Sequence, residues 1–186
     1  MLQYVLYVKS VGDGVNYKDS DKESINVSFS AGGDNVYTLV KDASTLAVGD
    51  KVIIVAADYA VAMSTTQNKK NRGQEDITKI DNTIDITGKG TVQVFTLEEG
   101  TTTGTFAFNT GSGYIYAASS SDNYLRTETN LSANSSWTIA ITSDAVAAAT
   151  ITAQGTNTRN ILRYNNVNTL FSCYNSGQKD VQIYKK

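Results

Sequence analysis

Apolar and polar positions alternate along almost the whole chain. The segments QYVLYVK, INVSFS, VYTLV, KVIIVAA, VQVFTLE, TFAFNT, SWTIAI, TITAQ and VQIYK all have a period close to two. They are short and rich in Val, Ile, Thr, Tyr and Phe, the residues that suit a pleated, half-buried surface. Clusters of Gly, Asn, Asp and Ser separate them. No window holds the 3.6-residue period of an amphipathic helix. DAVAAATI is alanine-rich but too short, and DASTL is suited to a single helical turn. The pattern predicts an all-β chain.

A longer period lies on top of the short one. The last third reads TITAQ, NILRYN, LFSCY, VQIYK, and the middle third reads TFAFNT, YIYAAS, YLRTET, SWTIAI. Each is a strand, a short hairpin and a closing strand. The first third repeats the order as KVIIVAA, YAVAMST, a long polar insertion through ITKIDNTIDI, and VQVFTLE. This predicts three four-strand units over residues 50–99, 103–142 and 147–186. The closing strands align as Val92-Gln93-Val94-Phe95, Trp137-Thr138-Ile139 and Val181-Gln182-Ile183-Tyr184. Alternate residues share a face, so Val92, Val94, Trp137, Ile139, Val181 and Ile183 are expected to line one core.

Three such units over 37–186 resemble the β-trefoil, a six-strand barrel capped by three hairpins. Closure would remove exposed sheet edges. The alternative that the spacing leaves open is a sandwich of seven to ten strands. In the ricin-type lectin trefoils a Gln-x-Trp motif opens the closing strand. Here Trp137 fills the Trp slot, but Ser135 stands at the Gln position and Val92 and Val181 occupy the other Trp slots, so the ricin mode of sugar binding is not implied. The runs STTQNKKNRG, LEEGTTTGTFAFNTGSGYIYAASSSDNYLRTETNLSANSSWTI, AQGTNTRNILRYN and LFSCYNSGQKDVQIYK are also similar to a C-terminal module of secreted multidomain proteins of gut anaerobic bacteria. That resemblance implies an exported or surface setting and a β-rich upstream neighbour. Residues 1–36 fit it as the tail of an upstream domain or a packed extension. QYVLYVKSVG reads as a strand ending in a turn at Gly12-Asp13-Gly14, NYKDSDKES as a polar loop, and INVSFSAGGDNVYTLV as strand, Gly32-Gly33 turn, strand.

Composition narrows the chemistry. The 186 residues carry a net charge of -2, which gives no basic face for nucleic acid. The basic runs NKKNR and the terminal KK read as solvated surface. The absence of His excludes Ser-His-Asp and Cys-His catalysis and His-ligated zinc. With one Cys, no intrachain disulfide or cysteine metal cluster forms. Without Pro, turns fall to Gly, Asn, Asp and Ser. MLQYVLYVKS lacks a signal peptide's long apolar run, so the chain is either cytosolic or lacks its leader, and no segment approaches a spanning helix.

Few residues offer chemistry. Glu98-Glu99 and Glu75-Asp76 are adjacent and point to opposite faces of a strand, so neither makes a glycosidase pair. DSDKES has alternating acids but not the Gly and distal Glu of a calcium loop. Cys173 reads as a buried small hydrophobe, and Gly111-Ser112-Gly113 as a hairpin turn. What remains is Tyr, Asn, Gln and Arg near the hairpins: Tyr116, Asn123, Tyr124 and Arg126 in the second unit; Arg159, Arg163, Tyr164, Asn165 and Tyr174 in the third; Gln67, Asn68, Asn71 and Arg72 in the first. Such side chains stack on sugar rings and bond hydroxyls, and they also form protein hot spots. The expectation is a non-catalytic module without cofactor or metal, secreted or at the cell surface, that binds glycan weakly through Tyr116, Tyr124, Arg126, Arg163 and Asn165. The alternatives are an adhesion module for a protein or neighbouring domain, and an accessory domain of a larger hydrolase.

Overall fold

The computed structural model describes residues 33–186, the strands Leu2–Val8 and Glu23–Phe29, and Gly12 and Val15. The chain divides into two compact units, Met1–Asp34 and Asn35–Lys186. In the first, β1 (Leu2–Val8) pairs antiparallel with β2 (Glu23–Phe29), from Leu2 opposite Phe29 to Val8 opposite Glu23. The expected turn at Gly12-Asp13-Gly14, the loop NYKDSDKES with its DSDKES calcium candidate, and the Gly32 half of the Gly32-Gly33 turn fall wholly or partly outside the described residues.

The second unit is all β apart from two single turns. It opens with β3 (Val36–Leu39) and a 3-10 turn at Ala43–Thr45, inside the DASTL segment expected to form one. Asp42 caps that turn through Ser44 N at 2.8 Å, which holds its carboxyl below the usual range. Then come β4 (Lys51–Ala56), β5 (Val61–Gln67), β6 (Arg72–Asp76), the short β7 (Lys79–Ile80) and β8 (Thr83–Asp85), and β9 (Phe95–Glu99). The middle repeat is β10 (Phe106–Asn109), β11 (Tyr114–Ala117), β12 (Leu125–Glu128) and β13 (Trp137–Ile141). The last is β14 (Ala149–Ala153), β15 (Ile161–Asn165), β16 (Leu170–Tyr174) and β17 (Val181–Lys185).

Six of these strands close on themselves. β4 pairs with β9, β9 with β10, β10 with β13, β13 with β14, β14 with β17, and β17 returns to β4, every pair antiparallel. Within each repeat the first strand meets the last through an equivalent pair: Val52 opposite Phe95, Phe106 opposite Trp137, Ala149 opposite Val181. The remaining long strands form the hairpins β5/β6, β11/β12 and β15/β16. This is the β-trefoil architecture, and the closed ring rules out the sandwich.

The equivalent pairs correct the expected register of the first closing strand. Its start is Phe95, three residues after Val92, so Phe95, Trp137 and Val181 are the matching positions. Val92 instead bridges Ser64, and Gln93 N donates to Met63 O at 2.8 Å. The insertion between β6 and β9 therefore runs back along β5 before the barrel strand begins. Val92 and Val94 pack in a second cluster with Tyr37, Ile53, Ile84 and Tyr184, not in the barrel. Trp137, Val181 and Ile183 do line the barrel core, with Ile139 packed against it. The two Val-Gln runs look alike because both alternate, and alternation fixes the face but not the position along the strand.

β4 reads as an unbroken apolar run because both its faces are covered. Val52, Ile54 and Ala56 enter the barrel cluster, while Ile53 and Val55 enter the second cluster. That second cluster lies under β3 and the β7/β8 insertion: β3 pairs with β17 and with β8. The strands on either side of Gly32-Gly33 both exist but pair with different partners, β2 with β1 and β3 with β8 and β17. In the barrel, Phe108 meets Phe95 edge-on at 5.5 Å and Trp137 at 6.3 Å. Trp137 is fully buried and its Nε1 donates to Ile115 O at 3.2 Å.

Candidate functional site

The hairpin turn of the first repeat decides what surrounds the second hairpin. Asn68 accepts from Lys70 N at 2.7 Å and Asn71 N at 2.6 Å, folding NKKNR into a tight turn. That turn docks on β12: Leu125 N donates to Lys70 O and to Asn71 Oδ1, both at 3.0 Å. Asn71 Oδ1 also accepts from Ser172 Oγ at 2.6 Å, so one buried amide ties all three repeats together. Gln67 adds a bond to Leu125 O. The run expected as solvated surface is thus partly an inter-repeat joint.

Docking places Lys70 beside Tyr124. The Tyr124 ring has the Arg126 guanidinium 4.6 Å from its centre and Lys70 Nζ at 5.5 Å. Tyr116 stands opposite Arg126 in the β11/β12 register. Tyr116, Tyr124 and Arg126 are all half-buried, with part of each side chain open to solvent. Three of the five expected site residues are therefore neighbours on one hairpin, and Lys70 joins them from another repeat.

The other two sit on the third hairpin and are already engaged. Arg163 forms an ion pair with Asp180. Asn165 is buried, donates to the Tyr174 hydroxyl at 3.0 Å, and accepts from Val167 N and Asn168 N, holding its own turn. Tyr164 is buried too and donates to Gln74 Oε1 at 2.5 Å. Arg159 donates to Asn123 at 2.8 Å, another joint between repeats.

The other candidate groups are hydrogen-bonded or buried. Glu98 accepts from Asn109 at 2.6 Å and from the Tyr114 hydroxyl at 2.8 Å. Glu75 accepts from the Thr91 hydroxyl. The Cys173 thiol is fully buried, and that burial pushes its pKa up, away from any nucleophilic range. Gly111-Ser112-Gly113 is the turn joining β10 to β11. Among the described residues, no group of three or more Cys, Asp or Glu side chains converges as metal ligands, and no helix is long and apolar enough to cross a membrane.

A polar hollow of about 380 Å³ lies where the first and second repeats meet, and the sequence alone did not reveal it. Arg72, Gln93, Gln67 and Thr127 line it, with Thr110 and Ser112 also at its wall. The sequence signal was Arg72 at the end of NKKNR, but nothing local shows that Gln93 and Thr127 come to meet it.

No family model matches the chain, and no curated protein sequence matches it. Among solved structures, a lysenin pore is 15% identical, covering 98% of this chain and 63% of that one, with a TM-score of 0.49, too low to bear on the fold. The BEL β-trefoil in an apo crystal form is 12% identical, covering 76% of this chain and 96% of that chain with a TM-score of 0.53. This likeness and the closed ring of strands agree: the fold of residues 35–186 is a β-trefoil.

Proposed function

We propose that the trefoil is a non-catalytic binding module that engages glycans weakly through the second hairpin, with Tyr116, Tyr124 and Arg126 at its centre and Lys70 beside them. The observation that carries this reading is the clustering of two half-exposed tyrosines and Arg126 on one hairpin, with Lys70 reaching over Tyr124 from the first repeat's turn. Aromatic faces cover the apolar side of a sugar ring, and the cations and phenol groups bond its hydroxyls. Weak monovalent affinity is expected, because each polar contact replaces one already made to water. Repetition on a surface or within a longer chain would raise it. The setting that fits is a secreted or surface-attached protein of the gut anaerobe type, with a neighbouring domain upstream.

One feature favours the adhesion reading instead. Arg126 already lies over the Tyr124 ring, an arrangement that serves protein hot spots as well as sugars. Titration of the labelled full chain with a broad glycan panel, followed by NMR, separates the two. Shifts at Tyr116, Tyr124 and Arg126 at millimolar glycan support the lectin-like reading. Shifts at Arg163 and Asn165 would move the site to the third hairpin. No glycan response, with binding to a protein or neighbouring domain, establishes adhesion instead.

A further inference from the structure

The hollow between the first two repeats has a charge in its wall that no carboxylate among the described residues neutralises. Arg72 is only 4% exposed. Its Nη1 donates to Thr65 O at 3.2 Å and Gln93 Oε1 at 3.1 Å, and its Nη2 to Thr127 Oγ1 at 2.5 Å. All three acceptors are neutral. A guanidinium has five N–H groups, so Nε–H and one Nη2–H are left over, and Nε, like that of Arg126, Arg159 and Arg163, is buried without a hydrogen-bond partner. Among the described residues no carboxylate lies within ion-pair distance of Arg72. Burial alone lowers its pKa, with no acidic neighbour opposing that shift.

A buried cation without an anion is costly, and proteins normally pair it. Bridging the two repeats explains part of the arrangement, since Thr127 belongs to the second repeat and Arg72 to the first, and such a latch uses one bond. A latch alone does not need a charge, because a neutral amide could bridge the same hydroxyl and carbonyl. Nor does it need an open hollow of about 380 Å³, which falls within the roughly 300–1,000 Å³ of small-molecule sites. The remaining wall is suited to sugar hydroxyls: the side chains of Thr65, Gln67, Gln93, Thr110, Ser112 and Thr127 are all hydroxyls or amides. The planar guanidinium fork matches a carboxylate.

We infer that this hollow binds the carboxylate-bearing ring of an acidic sugar, with Arg72 gripping the carboxylate and the Thr, Ser and Gln side chains around it meeting the hydroxyls. The inference rests on the glycan reading and narrows it to acidic glycans.

The labelled full chain is titrated by NMR with glucuronate, glucose and acetate at fixed pH and ionic strength. Glucuronate is expected to shift the Arg72 Nε–H and the Gln93 side-chain amide, with glucose and acetate each at least about tenfold weaker. Equal binding of acetate would overturn the sugar-acid assignment, and equal binding of glucose would overturn the role of Arg72. Ser112 is exposed in the β10/β11 turn, so Ser112→Glu puts a rival carboxylate at the hollow without disturbing the core. It is expected to weaken glucuronate at least about tenfold with thermal unfolding unchanged. Unchanged affinity in a folded Ser112→Glu chain overturns the inference. If neutral glycans shift Tyr116 and Tyr124 while glucuronate leaves Arg72 unmoved, the hairpin reading stands and the acidic hollow falls. If no sugar moves either set, the glycan reading itself falls.

Discussion

Trp137 shows how much one side chain carries in this barrel. It has no solvent exposure, sits edge-on to Phe108 at 6.3 Å, and donates to Ile115 O at 3.2 Å. Trp137→Ala is expected to cost about 3–5 kcal/mol, as large-to-small core changes do. It also leaves the Ile115 carbonyl without its indole partner. Urea unfolding measures the loss, and the single Trp gives a direct check: native emission should be blue-shifted and move red on unfolding. A red native emission with a neutral Ala variant would place the ring at the surface. Asn71 matters for a different reason. Its one carbonyl oxygen accepts from the second repeat at Leu125 N and from the third at Ser172 Oγ. Residues of this kind resemble ligand contacts in a sequence, yet they work inside the protein.

The second hairpin depends on how the chain enters it from β10. Gly113 has φ +151, where side chains are strained, and a Cβ there would collide with the Glu128 carbonyl. That carbonyl lies across the β11/β12 pair, where Tyr114 faces Glu128. Gly113→Ala is expected to cost about 1–3 kcal/mol and to broaden the resonances of Tyr116, Tyr124 and Arg126 before those of the third hairpin. The insertion is fastened by one lysine. Lys79 Nζ donates to Ala56 O and Ala57 O, both at 2.7 Å, and to Gln182 Oε1 at 3.0 Å. Burial lowers its pKa to about 8, against an opposing pull from Asp58. Between that value and the ordinary lysine range the unfolded chain holds more protons, so this group makes stability rise with pH. Tyr37, Tyr174 and Tyr184 act oppositely, since burial raises their pKa above the usual value near 10. Above that pH the folded state holds more protons and stability falls. Urea midpoints should therefore rise from about pH 8 toward 10 and then drop, with Lys79→Met flattening the rise.

At the scale of the molecule, ring closure makes the trefoil one cooperative body. Each barrel strand has two neighbours in the ring, so no barrel edge is open for pairing with another chain. The barrel cluster draws on all three repeats, and the hairpins are tied at Asn71, Arg72 and Gln67. Residues 35–186 produced alone are accordingly expected to unfold in a single transition and to keep the buried Trp137 emission. Separate transitions by fluorescence and by far-UV dichroism would show that the repeats fold independently. The charge distribution also belongs to this scale. The chain is net negative at -2, yet Lys70 and Arg126 both lie against the Tyr124 ring. Two cations so placed on a weakly acidic chain set a local field, which salt screens within about 8–10 Å.

Much of this architecture was legible in the sequence because alternation and turn residues are local properties. Period-two runs gave the all-β class, their recurrence gave three units, and TFAFNT, YIYAAS and SWTIAI fall on strands as read. Tyr116, Tyr124 and Arg126 could be grouped because they share one hairpin. Register along a strand was not local: VQVF and VQIY carry the same alternation, and only pairing with β4 set Phe95, not Val92, opposite Val52. The partner of β2 was equally invisible, since a Gly-Gly turn does not state which strands meet across it. Lys70 against Tyr124 and Arg72 among Gln93 and Thr127 lie 21 to 55 residues apart in sequence. Gln93 arrives because the insertion runs back along β5, and Tyr124 and Thr127 because the first hairpin docks on the second. Sequence determined which residues could pair or bind; chain closure decided which of them became joints and which were left facing an open hollow.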